Sequence, residues 1–254
     1  MTGSETSPPF TVAFVPGVTP TKWARIWEER LPNVPLRLAP VTAAEAPGML
    51  RDGGADAGFV RLPVDRSYFS AIPLYTEKTV VVVPKDHLVT AADEVTTGDL
   101  ADDVLLHPLD DVLGWEDLPG RPARERPATT ADAVELVAAG VGLLVVPQSL
   151  ARLHHRRDLT YRTVTDAPTS QVALSWPQER TTDRVEDFIG IVRGRTVNST
   201  RGRRAPEPEP KQKRPETPAS RRKPAPGRAG GRSARGGGRG AGGGSSRRGR
   251  PRRP

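Results

Sequence analysis

The first 194 residues predict an α/β fold in two lobes, whereas the last 60 predict no fold of their own. Strand and helix patterns alternate along the first part, and the alternation occurs twice. The composition then changes at about Arg195: residues 195–254 hold 19 Lys or Arg against 3 Asp or Glu, a net charge of +16, and the rest of the chain has a net charge of −8. The overall charge of +8 therefore combines two segments of opposite sign.

The first lobe is predicted from its order of elements. Phe10–Pro16 (FTVAFVP) has the apolar character of a buried strand and ends in a Pro-Gly turn. Thr21–Leu31 predicts a helix because its apolar residues share one face at helical spacing, with Thr19 or Thr21 as its cap. The remaining elements are a strand at Val34–Val41, a short helix at Ala43–Arg51 that Pro47 kinks or delays, a strand at Ala57–Val60, and strand segments at Ile72–Leu74 and Glu77–Val83. This order is typical of a parallel sheet covered by helices.

A second unit of the same kind follows. Thr130 is predicted to cap a helix over Ala131–Ala139, which Gly140 ends. The other elements are strands at Val104–Leu106, Leu143–Val146, Leu159–Val164 and Gln171–Trp176, and helices from Pro147 to His155 and over Thr182–Val192. The chain is therefore expected to form a second lobe and then to return to the first.

The composition sets limits on both ends of the chain. Residues 195–254 contain 12 Gly and 9 Pro and no aromatic residue, so they cannot bury enough apolar surface to offset the entropy of ordering. We therefore expect disorder at residues 1–9 and 194–254. No cysteine is present, which leaves no thiolate for a disulfide or a metal site. The absence of a signal-like start and of long apolar runs predicts a cytoplasmic protein with no membrane partner.

Four sequence blocks carry a family resemblance. They are Leu50–Val60 (LRDGGADAGFV), Ile72–Leu88 (IPLYTEKTVVVVPKDHL), Thr130–Leu150 (TADAVELVAAGVGLLVVPQSL) and Leu174–Val192 (LSWPQERTTDRVEDFIGIV). In this order they resemble the substrate-binding domain of LysR-type transcriptional regulators, which is similar to type 2 periplasmic binding proteins. The resemblance covers residues 10–193 and implies a two-lobed fold, with lobe I at about 10–84 and 175–193 and lobe II at about 85–174.

The resemblance also bears on DNA binding and assembly. Typical members carry a winged helix-turn-helix and a linker helix before this domain. The chain begins at the domain's first strand, so we expect that DNA reader to be absent. Effector domains of the family pair side by side, which implies a homodimer with the first helix at its interface. Trp23 and Trp27 lie on this helix, and each either faces the core or contributes to that interface.

A ligand site is expected in the crevice at the carboxyl ends of the strands, where helix N-termini offer free N–H groups. Val18 and Thr19 lie in one such loop, and Thr129 and Thr130 precede the long helix of the second lobe. Arg61 follows a buried strand and can pair with a carboxylate in a fork. By resemblance, these positions contact a small organic anion. The alternative is that the threonines are helix caps and that Arg61 is a solvated loop residue.

Catalysis and metal binding find little support in the sequence. None of the motifs HExxH, GxSxG, GxxxxGK[ST] or GxGxxG is present in residues 1–194, the part predicted to fold. The adjacent carboxylates at 102–103 and 110–111 lack the spacing of a calcium loop and are interpreted as solvated charges. We expect no catalytic residue, no metal and no cofactor, and an enzyme built on this fold is only the third hypothesis.

The C-terminal segment carries a motif of its own. Its last eight residues, RRGRPRRP, resemble an AT-hook, in which glycine allows close approach to the minor groove and proline keeps the chain extended. Arginines favour the negative potential of that narrow groove. The residues expected to contact nucleic acid are Arg247, Arg248, Gly249, Arg250, Pro251, Arg252 and Arg253. The alternative is a low-complexity appendage with no defined ligand.

Two functions of different classes follow from these observations. The leading hypothesis is a ligand-sensing, LysR-like protein, related to transcription, whose basic tail contacts nucleic acid through charge rather than base reading. The alternative is a stand-alone effector domain that modulates full-length regulators by pairing with them, with the tail as a non-specific appendage.

Overall fold

The computed structural model describes residues 8–195, which form two β-sheets with helices packed on them. The strands of the first sheet are β1 (Phe10–Phe14), β2 (Leu36–Pro40), β3 (Ala57–Arg61), β4 (Phe69–Glu77) and β11 (Ser170–Pro177). They lie in the order β2-β1-β3-β11-β4. Strand β1 is parallel to β2 and β3, whereas β11 runs antiparallel to β3 and β4.

The second sheet forms the second lobe. Its strands are β5 (Thr79–Pro84), β6 (Glu94–Val95), β7 (Val104–Leu106), β8 (Arg121–Pro122), β9 (Leu143–Pro147) and β10 (Leu159–Val164). They lie in the order β6-β10-β5-β9-β7-β8. The central strand β5 is apolar on both faces: Val80 and Val82 belong to one core cluster and Val81 and Val83 to another. Both faces of this sheet are therefore covered.

The chain crosses between the lobes at two places, at Lys78 and over residues 165–169. The lobe boundaries predicted after 84 and after 174 are therefore wrong by several residues. Strand β5 belongs to the second sheet, and the whole of β11 belongs to the first. The apolar pattern marked both segments as strands, but it carries no information about the sheet in which a buried strand pairs.

Within residues 8–195, five α-helices cover the sheets: α1 (Thr21–Arg30), α2 (Ala46–Arg51), α3 (Thr130–Ala138), α4 (Gln148–Leu153) and α5 (Asp183–Val192). Helix α2 begins late, with Pro47 in its first turn, where a missing N–H has no cost. The predicted cap of α1 is wrong, since Pro20 occupies the N-cap and makes no side-chain bond. None of the helices in residues 8–195 is long and apolar enough to cross a membrane.

The first lobe is built around an aromatic cluster. Trp27 is fully buried, stacks on Phe10 at 4.6 Å between ring centroids, and donates its indole N–H to the Val34 carbonyl. Trp23 stacks on Phe59 at 4.5 Å. Both tryptophans thus pack against the core, and the exposed side of α1 carries charged residues, including a salt bridge between Arg25 and Glu29.

Candidate functional site

A buried guanidinium lies where the two lobes meet. Arg61, the last residue of β3, is only 8% exposed and forms an ion pair with Glu77, the last residue of β4. The same nitrogen, Nη1, donates to the hydroxyl of Ser170 at 2.7 Å. Glu77 precedes the first crossing between the lobes and Ser170 follows the second, so this edge of the guanidinium is fixed by both connections.

The other terminal nitrogen of Arg61 links the lobes directly. Its Nη2 donates to the Pro16 carbonyl at 3.0 Å and to the Ser149 hydroxyl at 3.3 Å. Pro16 lies in the loop between β1 and α1, and Ser149 lies in the first turn of α4 in the second lobe. Within residues 8–195 no hydrogen bond involves Nε of Arg61. The Nη2 and Nε edge is therefore the side of this cation that a ligand could approach.

The loop after β1 approaches the second lobe very closely. Gly17 has a positive φ of 87°, and a Cβ added there would lie 2.3 Å from the Ser149 hydroxyl and 3.3 Å from Nη2 of Arg61. Only glycine fits this conformation and this distance without strain. Val18 is buried and Thr19 is exposed in the same loop. The structure thus brings Arg61 together with the loop that holds the first two predicted ligand residues.

The two threonines of the second lobe hold different positions. Thr129, rather than Thr130, is the N-cap of α3, and it forms a capping box with Asp132. Thr130 is buried and donates its hydroxyl to Asp110 at 2.9 Å. Among the described residues, no hydrogen bond connects either threonine to Arg61. The sequence prediction of Thr130 as the cap is wrong by one residue, because both positions are threonine and helix boundaries shift easily.

Three members of the Arg61 cluster were not predicted: Glu77, Ser149 and Ser170. The sequence contained one indication of the role of Glu77. It is a carboxylate that ends a strand in a mainly apolar segment, and such a group needs a partner when it is buried. Glu77 also affects Tyr75. Burial of the Tyr75 phenol is the larger cause, and the negative charge of Glu77 the second, of a pKa above the ordinary value of 10.0. The sequence predicts that Arg61 binds the carboxylate of a ligand through two parallel hydrogen bonds. In the structure, Nη1 of Arg61 is already paired with a carboxylate of the protein, that of Glu77.

Other features of residues 8–195 lie apart from this cluster. No group of three or more His, Cys, Asp or Glu side chains is arranged to hold a metal ion in that range. A groove of about 320 Å³ on the first lobe is lined by Arg66, Ile72, Trp176 and Arg193, among others, and includes none of the predicted ligand residues. The predicted nucleic-acid residues, 247–253, lie outside the described part of the chain.

Solved structures share this architecture. The BenM effector binding domain with its effector benzoate matches with a TM-score of 0.63 and 19% identity, over 75% of this chain and 92% of that chain. The reduced form of the OxyR regulatory domain from Pseudomonas aeruginosa matches with a TM-score of 0.59 and 21% identity, over 74% and 98% of the two chains. At these identities the likeness establishes the fold alone, and it confirms the predicted two-lobed α/β architecture.

The sequence itself then gives the family. The LysR substrate binding domain profile matches residues 4–196, so the chain belongs to this family and the predicted resemblance is confirmed. A probable hydrogen peroxide-inducible genes activator of Mycobacterium avium is 34% identical over 144 residues, which cover 53% of this chain and 46% of the relative. The Hca operon transcriptional activator HcaR of Escherichia coli is 23% identical over 204 residues, or 75% and 69%. The chain spans about half the length of the first of these relatives.

Proposed function

We propose that the folded part of this protein senses a small organic anion that binds between its two lobes and so contributes to transcriptional control. The buried Arg61, which donates to both lobes through Nη2, is the observation that carries this proposal. A cation at the contact between two lobes gives a ligand the means to favour one arrangement of the lobes over another. The BenM domain, a structural neighbour, was solved with benzoate as its effector, which supports a carboxylate.

The chemistry of the crevice fits such a ligand. An anion that accepts from Nη2 and Nε of Arg61 would replace the contacts to Pro16 and Ser149 with two charge-assisted hydrogen bonds. In the same loop, the exposed Thr19 would then offer a hydroxyl beside it, whereas Val18 is buried and supports the loop from the core of the first lobe. In the second lobe, the N-terminus of α3, which the exposed Thr129 caps, presents the positive end of a helix dipole. Thr130 supports that end of the helix through Asp110.

The absence of cysteine favours ligand binding over oxidation as the signal. Relatives in Mycobacterium avium and Mycobacterium leprae are named probable hydrogen peroxide-inducible genes activators. Reversible oxidation by peroxide acts on cysteine thiolates, and these 254 residues contain none. We therefore expect a reversibly bound molecule to be the signal for this chain.

A thermal-shift screen of small carboxylates tests the proposal, because a ligand that binds only the folded state raises the unfolding temperature. The site is then tested by replacing both members of the buried pair, Arg61→Met with Glu77→Met, so that no charge is left unpaired. We expect binding to weaken by about 1.5–3 kcal/mol, the usual strength of a charge-assisted hydrogen bond. Arg37→Met, on an exposed position of β2, is the control. Unchanged affinity in the double variant would contradict the site.

For the C-terminal segment, we propose contact with nucleic acid through charge neutralisation. The support is the charge of +16 over residues 195–254 and the RGRP sequence at Arg248–Pro251. The full chain should bind duplex DNA with a slope of log K against log[salt] of about −0.9 per phosphate neutralised, and residues 1–194 should bind hardly at all. Equal retention of DNA by both proteins in a mobility assay would contradict this proposal.

We also propose that the protein forms a homodimer, since symmetric dimers are the commonest oligomers. Light scattering at micromolar concentration tests this proposal, and a monomer there would count against it. The alternative role, pairing with full-length regulators, predicts that pairing persists after residues 195–254 are removed.

A further inference from the structure

The Arg61 guanidinium is already neutralised by a carboxylate of the protein. The side chains of Arg61 and Glu77 are each only 5% exposed, so water screens their attraction weakly. The ion pair and the Ser170 hydroxyl both engage Nη1, on the edge of the guanidinium that faces the crossings between the lobes. A ligand at the opposite edge would therefore meet the donors of an arginine but not its full charge.

A bound carboxylate would also lie close to Glu77, because the two anions would occupy opposite edges of one planar group. The two anions would lie farther from each other than either lies from the guanidinium, so their repulsion would be weaker than the attraction of each to Arg61, but away from water it would still oppose the binding of a carboxylate. This repulsion cancels much of the advantage that an anion has over a neutral molecule of the same shape.

We propose that Glu77 is a specificity-determining residue of the ligand site. It reduces the preference of the site for a carboxylate over a neutral ligand of the same shape. The wild-type crevice then accepts neutral hydrogen-bond acceptors, such as carboxamides, nearly as well as the matching carboxylates. This inference rests on the ligand site proposed above and adds the chemical class that the site admits. It follows from the contacts of Arg61 alone and does not depend on the C-terminal segment.

The test compares matched pairs of probes, benzoate with benzamide and hexanoate with hexanamide, by calorimetry on the full chain at a fixed salt concentration. We expect the wild type to prefer the carboxylate by less than about 10-fold, and Glu77→Gln to raise that preference at least about 10-fold. Glu94→Gln, at an exposed position of β6 in the second lobe, is the matched charge control and should leave the ratio unchanged.

The possible results distinguish the inference about Glu77 from the proposal of the ligand site itself. A wild-type preference for the carboxylate above about 100-fold overturns the inference without any variant, which covers the case in which Glu77→Gln does not fold. An unchanged ratio in a folded Glu77→Gln protein overturns it as well. Failure of all four probes and of the carboxylate screen to bind the wild type would instead contradict the ligand site itself.

Discussion

Removing Arg61 alone should damage the protein far more than removing the whole ion pair. Arg61 supplies the only hydrogen bond to the Glu77 side chain among residues 8–195. Arg61→Met would leave a buried carboxylate without a partner, which costs about 3–5 kcal/mol of unfolding free energy. Adding Glu77→Met replaces the pair by apolar side chains of similar volume. We expect the double variant to lie within about 1–2 kcal/mol of the wild type, since Ser170, Ser149 and Pro16 each lose a donor.

Urea unfolding, followed by far-ultraviolet circular dichroism, measures all four proteins of this cycle. The midpoints give the change in stability, provided that the slopes stay equal. We expect the double variant to be more stable than Arg61→Met by about 2–3 kcal/mol. A double variant that is destabilised by the sum of the two single changes would refute the coupling and, with it, the view that the pair is a buried structural unit.

Three further predictions concern loops, caps and acid. Gly17→Ala should destabilise by more than Gly114→Ala in chemical denaturation, because both have positive φ but only the Cβ added at Gly17 would collide with a neighbour, Ser149 of the second lobe; equal losses would refute the close contact. Thr129→Ala should cost about 1 kcal/mol in the same assay, while Thr129→Ser retains the cap. The side-chain and backbone hydrogen bonds from Thr97 hold the pKa of Asp166 below its ordinary value of 3.8. The stability that the ionised Asp166 gives the folded protein is therefore present above its ordinary pKa and is lost as the pH falls through the lowered pKa. Asp166→Asn should flatten acid unfolding below about pH 4, and an unchanged acid profile would count against it.

The sequence predicted the elements well and their tertiary pairing less well. The strand at Ala57–Val60 and the helix that follows Thr182 were both correctly placed, because the first is a short apolar run and the second has its apolar residues at helical spacing. The apolar strand β5 was assigned to the wrong lobe, since a strand buried on both faces shows no alternation that indicates its sheet.

The partners of Arg61 explain why the site was predicted only in part. They lie between 16 and 109 residues away in the chain, at Pro16, Glu77, Ser149 and Ser170. A single sequence contains no signal that joins such positions. The arginine was found because it follows a buried strand, a local feature. Its engagement by Glu77 depends on the return of the chain through both crossings, which local patterns do not reveal.

The most direct test of the ligand site is a crystal structure of the chain with the tightest-binding carboxylate or carboxamide from the screen. We predict that an oxygen of the ligand lies within about 3 Å of Nη2 or Nε of Arg61, between the loop at residues 16–20 and the second lobe. A ligand bound away from Arg61, for example in the groove lined by Arg66 and Trp176, would contradict the account.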